Sequence, residues 1–101
     1  MIIEYIRYKI LREKQEQFKA AYSEAGKPMI ESAHCLKYEL AHCVEAPDQY
    51  ILRIEWDSHD GHMKGFRGSA EFRRFYELVK PFFNDIQEMQ HYELTRVRGG
   101  K

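Results

Sequence analysis

The chain has 101 residues, enough for one domain, because two halves of this length could not each close a hydrophobic core. Its 16 basic and 16 acidic residues give a net charge of zero, which argues against nucleic acid as the main partner, since phosphate binding needs a basic face. No stretch approaches the roughly 20 apolar residues of a membrane span, and the charged N-terminus is not a signal peptide.

The N-terminal part of the chain predicts a strand followed by a helix. Residues 2–10 alternate between two faces, with Ile6 and Tyr8 on the same one, which is typical of a strand. From Glu13 the apolar residues recur at helical spacing. We expect Gly26 and Pro28 to break or kink this helix.

The middle of the chain predicts an antiparallel hairpin. Residues 35–45 and 50–56 alternate as strands do, and residues 46–49 form a turn that contains Pro47. Cys35 and Cys43 would lie about 26 Å apart on one strand, beyond the reach of a disulfide. We therefore expect reduced thiols in a cytoplasmic protein.

The C-terminal part predicts two helices and a last strand. Ser58 can cap a short helix through Phe66, and Ser69 can cap a longer one that Pro81 interrupts. Residues 88–96 alternate again and form the fourth strand. Residues 96–101 are expected to be a disordered tail.

The predicted order is β-α-β-β-α-β, an α+β, ferredoxin-like plan in which helices cover one face of a four-stranded antiparallel sheet. The helix-facing positions are Ile6, Tyr8, Leu36, Tyr38, Leu40, Leu52, Ile54 and Trp56. The opposite face carries Arg7, Arg53 and Glu55 beside Ile3 and Ile51. Charges on neighbouring strands fit a face laid against a second copy, with the solvated face as the alternative.

Three segments carry a resemblance to a known family. The strands Cys35–Leu40 (CLKYEL) and Tyr50–Trp56 (YILRIEW) and the segment Phe66–Phe72 (FRGSAEF), in this order, resemble the antibiotic biosynthesis monooxygenase (ABM) superfamily over residues 2–95. The resemblance implies a single ABM-like domain in residues 1–101. It also implies a homodimer, in which two sheets form a dimeric α+β barrel, and a pocket between each sheet and its helices.

Members of this superfamily include cofactor-independent oxygenases of quinols and polyketide phenols, haem-degrading oxygenases, and domains without known activity. The haem-degrading members use an Asn on the first strand, a Trp and a haem-ligating His. Here the first strand has no Asn, and the other two positions fall near Gly65 or Phe66 and near Tyr76. We therefore predict no cofactor, with haem bound through Tyr76 as a minor alternative.

Cofactor-free oxygenation needs a base, donors for a phenolate and aromatic walls. Of five histidines, His62 is the preferred base, since it lies one helical turn from Phe66 where the pocket should open. The expected donor is Tyr76 or Tyr38, and the expected walls are Tyr8, Trp56, Phe66 and Phe72. Arg7, Arg53, Glu55 and His91 are expected at the dimer interface.

The residues Asp57, His59, Asp60 and His62 bring histidine and carboxylate together, but no further ligands follow at a clear spacing, so we predict no metal site. The expected function is oxidation of a quinol-like or polycyclic phenolic substrate. The alternative is a non-catalytic homodimer that binds a small aromatic ligand or serves as a partner domain. An open cavity of about 300 Å³ or more beside His62 would favour the enzyme.

Overall fold

A computed structural model describes all 101 residues and contains the six predicted main elements. The strands are β1 (Ile2–Lys9), β2 (Cys35–His42), β3 (Gln49–Trp56) and β4 (Ile86–Glu93). The helices are α1 (Gln15–Glu31) and α2 (Ala70–Val79). Short 3₁₀ segments precede α1 (Arg12–Lys14) and follow α2 (Lys80–Asp85), and a π-helical turn, Gly61–Phe66, lies between β3 and α2. None of the helices has both the length and the apolar character to cross a membrane.

The four strands form one antiparallel sheet in the order β2-β3-β1-β4. This order places the first and last strands of the chain side by side, so that Glu4 lies opposite His91 and Ile6 opposite Met89. The α+β, ferredoxin-like prediction is confirmed. Residues 94–101 form neither helix nor strand.

Both helices lie on the same face of the sheet and enclose the core. Phe18, Tyr22 and Met29 of α1 and Phe75 and Val79 of α2 are buried there, against the inward side chains of the strands. Ser69 caps α2, because its hydroxyl oxygen accepts a hydrogen bond from the amide of Phe72. Many of the chain's seven Tyr, six Phe and one Trp therefore lie in this core.

The predicted break in the first helix is wrong, and a kink at Gly26 or Pro28 stays a prediction. Helix α1 runs without a break to Glu31, with Pro28 inside it. Proline removes one amide donor from the helix, but Pro28 and Met29 are buried. Their packing against the sheet and α2 holds the last turn in place.

The predicted faces of β2 require one correction. An irregularity in the pairing between Cys35 and Lys37 leaves Leu36 without a partner on β3 and 53% exposed. Cys35 takes the inward place opposite Trp56 and belongs to the core. A bulge of this kind inserts one residue and reverses the alternation, so Leu36 is not helix-facing.

Candidate functional site

A cavity of about 530 Å³ lies between the sheet and the helices. Its walls are mostly apolar and come from all the main elements except β2, together with the π-helical turn and the 3₁₀ segment after α2. The volume falls in the range of small-molecule sites, which combine apolar walls with a few polar groups. It also exceeds the roughly 300 Å³ lower end of such sites.

A buried polar cluster of Glu4, His62 and His91 adjoins this cavity. The Nε1–H of Trp56 donates to Oε1 of Glu4 over 3.0 Å, and Nε2 of His62 lies 3.5 Å from the same oxygen. The imidazole of His62 also stacks on the Trp56 indole, with ring centroids 4.3 Å apart. Glu4 is 1% exposed and His62 is 3% exposed, so both are held away from bulk water.

His91 completes the cluster from β4. Its Nε2 shares a 2.7 Å hydrogen bond with Nδ1 of His62 and lies 4.0 Å from Oε2 of Glu4. The edge of its ring faces His59, with centroids 4.9 Å apart. His91 is only partly buried and connects the cluster with the surface. Its side chain turns to the helix-covered face, and its place at a dimer interface stays a prediction.

Burial shifts the pKa values of the three side chains in the cluster away from those of free side chains. It raises the pKa of Glu4 to about 7, although the hydrogen bond from Trp56 acts in the other direction. Burial, together with the nearby charges of His91 and Arg67, lowers the pKa of His62 to about 3. Burial also lowers the pKa of His91. Near pH 7 both imidazoles are neutral, and Glu4 is poised between its acid and carboxylate forms.

The π-helical turn places His62 over Trp56. Ser58 accepts a 2.8 Å hydrogen bond from the amide of Gly61 at the start of the turn. Outside the turn, Nδ1 of His34 pairs with Asp57 over 2.9 Å, and its ring lies so close to Gly65 that a Cβ there would be 2.4 Å from it. A glycine is therefore needed at position 65 for this close approach. Single π-helical turns are frequent at functional sites.

A second polar group in the cavity is the tyrosine pair, Tyr8 and Tyr22. Their buried hydroxyls are hydrogen-bonded to each other. Burial raises the pKa of Tyr8 to about 12 and that of Tyr22 well above its usual value, so both stay protonated. One hydroxyl hydrogen forms the bond between the two tyrosines. The hydrogen of the second hydroxyl is free to donate to a ligand.

The cavity brings together most of the residues that the sequence singles out. Its lining includes His62, Tyr76, Tyr8, Trp56, Phe66 and Phe72. Tyr38 does not line it, since its ring reaches α1 and its hydroxyl lies 1.9 Å from where a Cβ on Gly26 would be. Tyr38 therefore packs between the helix and the sheet, and its role in substrate binding stays a prediction.

Sequence reasoning missed Glu4 and Arg67, which both line the cavity. Glu4 carried a signal, because it shares the alternation of Ile6 and Tyr8 and is a carboxylate on a face otherwise apolar. Arg67 directly follows the π-helical turn, and no sequence pattern marks it as a cavity residue. The histidine-carboxylate group predicted around Asp57 does not assemble, since Asp57 pairs with His34 and Asp60 lies beside Lys64. The atoms that could share a metal ion belong to Glu4, His62 and His91, and lie within 4.8 Å of one another.

The open face of the sheet holds three of the four predicted interface residues, Arg7, Arg53 and Glu55. Arg53 bonds Glu55 over 2.6 Å and Glu39 over 3.4 Å, and Arg7 lies 3.6 Å from Glu88. These charges on neighbouring strands thus pair within one chain. Apolar side chains remain beside them, with Tyr5 and Ile51 each 37% exposed and Tyr92 44% exposed.

Solved structures share this fold over nearly the whole chain. A protein of Bordetella bronchiseptica, provisionally named an antibiotic biosynthesis monooxygenase, is 26% identical with a TM-score of 0.81, over 93% of this chain and 96% of that chain. A conserved protein of Methanosarcina mazei Go1 has a TM-score of 0.77 at 17% identity, over 93% of this chain and 92% of that one. The second likeness shows the fold alone.

The amino-acid sequence is also similar to known sequences. It is 25% identical over 79 residues to the uncharacterized protein YczJ of Bacillus subtilis (strain 168). The aligned region covers 78% of this chain and 83% of that protein. The family model described as antibiotic biosynthesis monooxygenase matches residues 1–78. This chain therefore belongs to the antibiotic biosynthesis monooxygenase family.

Proposed function

We propose that the cavity binds a quinol-like or polycyclic phenol and that the protein oxidises it with dioxygen without a cofactor. The observation that carries this proposal is the Glu4–His62–His91 cluster beside an apolar cavity of about 530 Å³. Flat apolar walls suit an aromatic ring system, and the buried carboxylate and imidazole supply the acceptor that a phenolic proton needs.

The dimensions of the cavity support a substrate of more than one ring. Glu4 and Tyr8 lie on the same face of β1, with Cα atoms about 13 Å apart for an extended strand. A molecule of two or three fused rings can therefore place one oxygen at the Glu4 cluster and another at the tyrosine pair. Trp56, Phe66 and Phe72 would contact its faces and edges.

In the proposed reaction, the cluster takes the phenolic proton, with Glu4 and His62 as the groups in reach. The Arg67 guanidinium, which also lines the cavity, stabilises the resulting anion. An anthrone-like substrate would react in its enol form, whose anion bonds to one atom of dioxygen through the ring carbon that was the CH₂ group. The proton held by the cluster passes to the other oxygen atom and gives a hydroperoxide. Breakage of the O–O bond with loss of the remaining hydrogen on that carbon releases water and leaves a carbonyl, and the partly exposed His91 lets the cluster exchange protons with the surface.

Oxygen uptake by the purified protein tests this proposal. A panel of hydroquinones and anthrone-like phenols is supplied with a chelator and without metal, flavin or haem. Glu4→Gln should lower kcat/KM by about 100-fold or more, the usual contribution of a general base. His62→Ala should also lower it, because His62 lies beside the Glu4 carboxylate and lines the cavity. Glu45→Gln and His42→Ala, which alter the same residue types outside the cavity, should keep full turnover. Full turnover in Glu4→Gln and His62→Ala would contradict the assignment.

The alternative function is binding of a small aromatic ligand without chemistry. The mostly apolar lining of the cavity favours it, because such walls give affinity whether or not the cluster takes a proton. Saturable binding of a phenol with oxygen uptake no faster than in buffer would support the alternative.

We further propose that a second copy covers the open face of the sheet. The apolar side chains Tyr5, Ile51 and Tyr92 support this, since they lie together on a face that neither helix covers. Arg7, Arg53 and Glu55 lie on the same face and would border the contact. The free thiols of Cys35 and Cys43 support the expected cytoplasmic location.

A further inference from the structure

We propose that Glu4, His62 and His91 form a binding site for one divalent transition-metal ion at the edge of the cavity. The three side chains come from β1, the π-helical turn and β4, and offer one carboxylate oxygen and two imidazole nitrogens within 4.8 Å of one another. The pairing of β1 with β4 sets Glu4 opposite His91, and the turn brings His62 over both. The ligands are thus positioned by the backbone of three separate elements.

The ligand set selects the class of ion. Imidazole nitrogens suit Zn²⁺, Fe²⁺, Co²⁺ and Ni²⁺, whereas Mg²⁺ and Ca²⁺ prefer sites built from oxygens. Two histidines and one carboxylate leave further coordination positions unfilled. These positions face a cavity that Glu4 and His62 line directly, so a ligand atom or water could complete the coordination.

Trp56 holds two of the three ligands in place. Its Nε1–H donates to Oε1 of Glu4, which leaves Oε2 available on the side of His91. Its indole face supports the ring of His62, which restricts the rotation of that imidazole. Such outer contacts orient ligands and strengthen metal binding.

Binding requires one small rearrangement. Nδ1 of His62 and Nε2 of His91 are 2.7 Å apart and share a proton, whereas two nitrogens about 2.1 Å from one ion lie about 3 Å apart or more. The ion would replace that proton, and the partly exposed His91 can shift to open the gap. A metal-bound cluster has no free base, which is why the oxygen-uptake assay contains a chelator. The metal site itself does not depend on the proposed oxidation.

Titration of the metal-stripped full chain with Co²⁺, followed by visible absorption, tests this inference. We expect saturation at one ion per chain and displacement by Zn²⁺. Glu4→Gln and His91→Ala should each weaken Co²⁺ binding by about tenfold or more, while His42→Ala should bind as the wild type does. Far-UV circular dichroism establishes that each variant is folded.

A second readout uses stability. Zn²⁺ should raise the Tm of the wild type and of His42→Ala by mass action, and at the same Zn²⁺ concentration should raise the Tm of folded Glu4→Gln by clearly less. The absence of saturable Co²⁺ binding would overturn the inference, as would equal affinity in the wild type, Glu4→Gln and His91→Ala.

Discussion

At the scale of single residues, Glu4 is the most informative side chain of the protein. It is a carboxylate on a strand face whose neighbours Ile6 and Tyr8 belong to the core. Burying a carboxylate is costly unless it is hydrogen-bonded or neutralised. Trp56 and His62 give Glu4 partners, but its raised pKa shows that burial still dominates.

This burial predicts how stability changes with pH. The pKa of Glu4 rises from 4.5 to about 7 in the folded protein, so the folded chain keeps a proton that the unfolded chain loses between these values. Glu4 therefore lowers the free energy of unfolding as the pH rises from about 4.5 to 7, by at most about 3 kcal/mol. In Glu4→Gln this loss should disappear.

Urea unfolding of the wild type and Glu4→Gln between pH 4.5 and pH 8 measures the effect. Glu4→Gln should gain stability relative to the wild type up to about pH 7, and the difference should then level off. His62, whose pKa is lowered to about 3, acts in the opposite direction and is present in both proteins. A difference that is constant with pH would show that Glu4 is ionised throughout.

At the scale of elements, alternation and helical spacing were sufficient to predict the four strands, the two main helices and their order. They work because each element buries one face, and the residue types repeat with the period of that face. Alternation also predicts the direction of His91, which lies two residues from Met89 on the same strand face and therefore points inward with it. The bulge at Leu36 has no such signature, because it depends on how β2 pairs with β3.

The cavity needed the three-dimensional structure for a similar reason. His62 was singled out from the sequence, but its partners Glu4 and His91 are 58 and 29 residues away along the chain. Only the sheet order brings β1 and β4 together beside the π-helical turn. Local patterns could therefore supply the base but not the cluster around it.

The contact between α1 and β2 gives a prediction at this scale. A Cβ on Gly26 would lie 1.9 Å from the Tyr38 hydroxyl, so the ring or the helix must move in Gly26→Ala. We expect a loss of about 1–2 kcal/mol in the free energy of unfolding, since overpacking outweighs the better helix propensity of alanine.

Repeating Gly26→Ala in a Tyr38→Ala protein shows whether the Tyr38 ring causes the loss of stability. In Tyr38→Ala the obstructing ring is absent, so adding Gly26→Ala should stabilise the protein by up to about 1 kcal/mol. Thermal or urea unfolding of the four proteins gives the coupling between the two positions. If Gly26→Ala has the same effect in both backgrounds, Tyr38 is not the packing partner of Gly26.

At the scale of the whole molecule, the open face of the sheet predicts the oligomeric state. Placing a charge in the exposed apolar group through Ile51→Lys should shift a dimer towards the monomer, because the charge would be buried without a partner. Ile30→Lys on α1 is a matched control, since Ile30 is 55% exposed and lies away from this face. Sedimentation at micromolar concentration measures both.

Either of two outcomes would contradict the dimer proposal. One is a wild type that sediments as a monomer, and the other is an Ile51→Lys variant that still sediments as a dimer. Proteins of this family are commonly dimeric. The internal pairing of Arg53 with Glu55 and Glu39 means that any dimer contact must rest on the apolar side chains more than on new ion pairs.

The central claim is that the cavity recognises an aromatic hydroxyl group through its buried cluster. The fluorescence of Trp56, the single tryptophan of the chain, reports on this cavity because the indole lines it. The decisive measurement is a fluorescence titration with a fused-ring phenol and with its O-methyl ether. The phenol should bind about tenfold more tightly or better, because Oε1 of Glu4 already accepts from Trp56 and the ether offers no donor to Oε2. Equal affinity for the two compounds would contradict the claim.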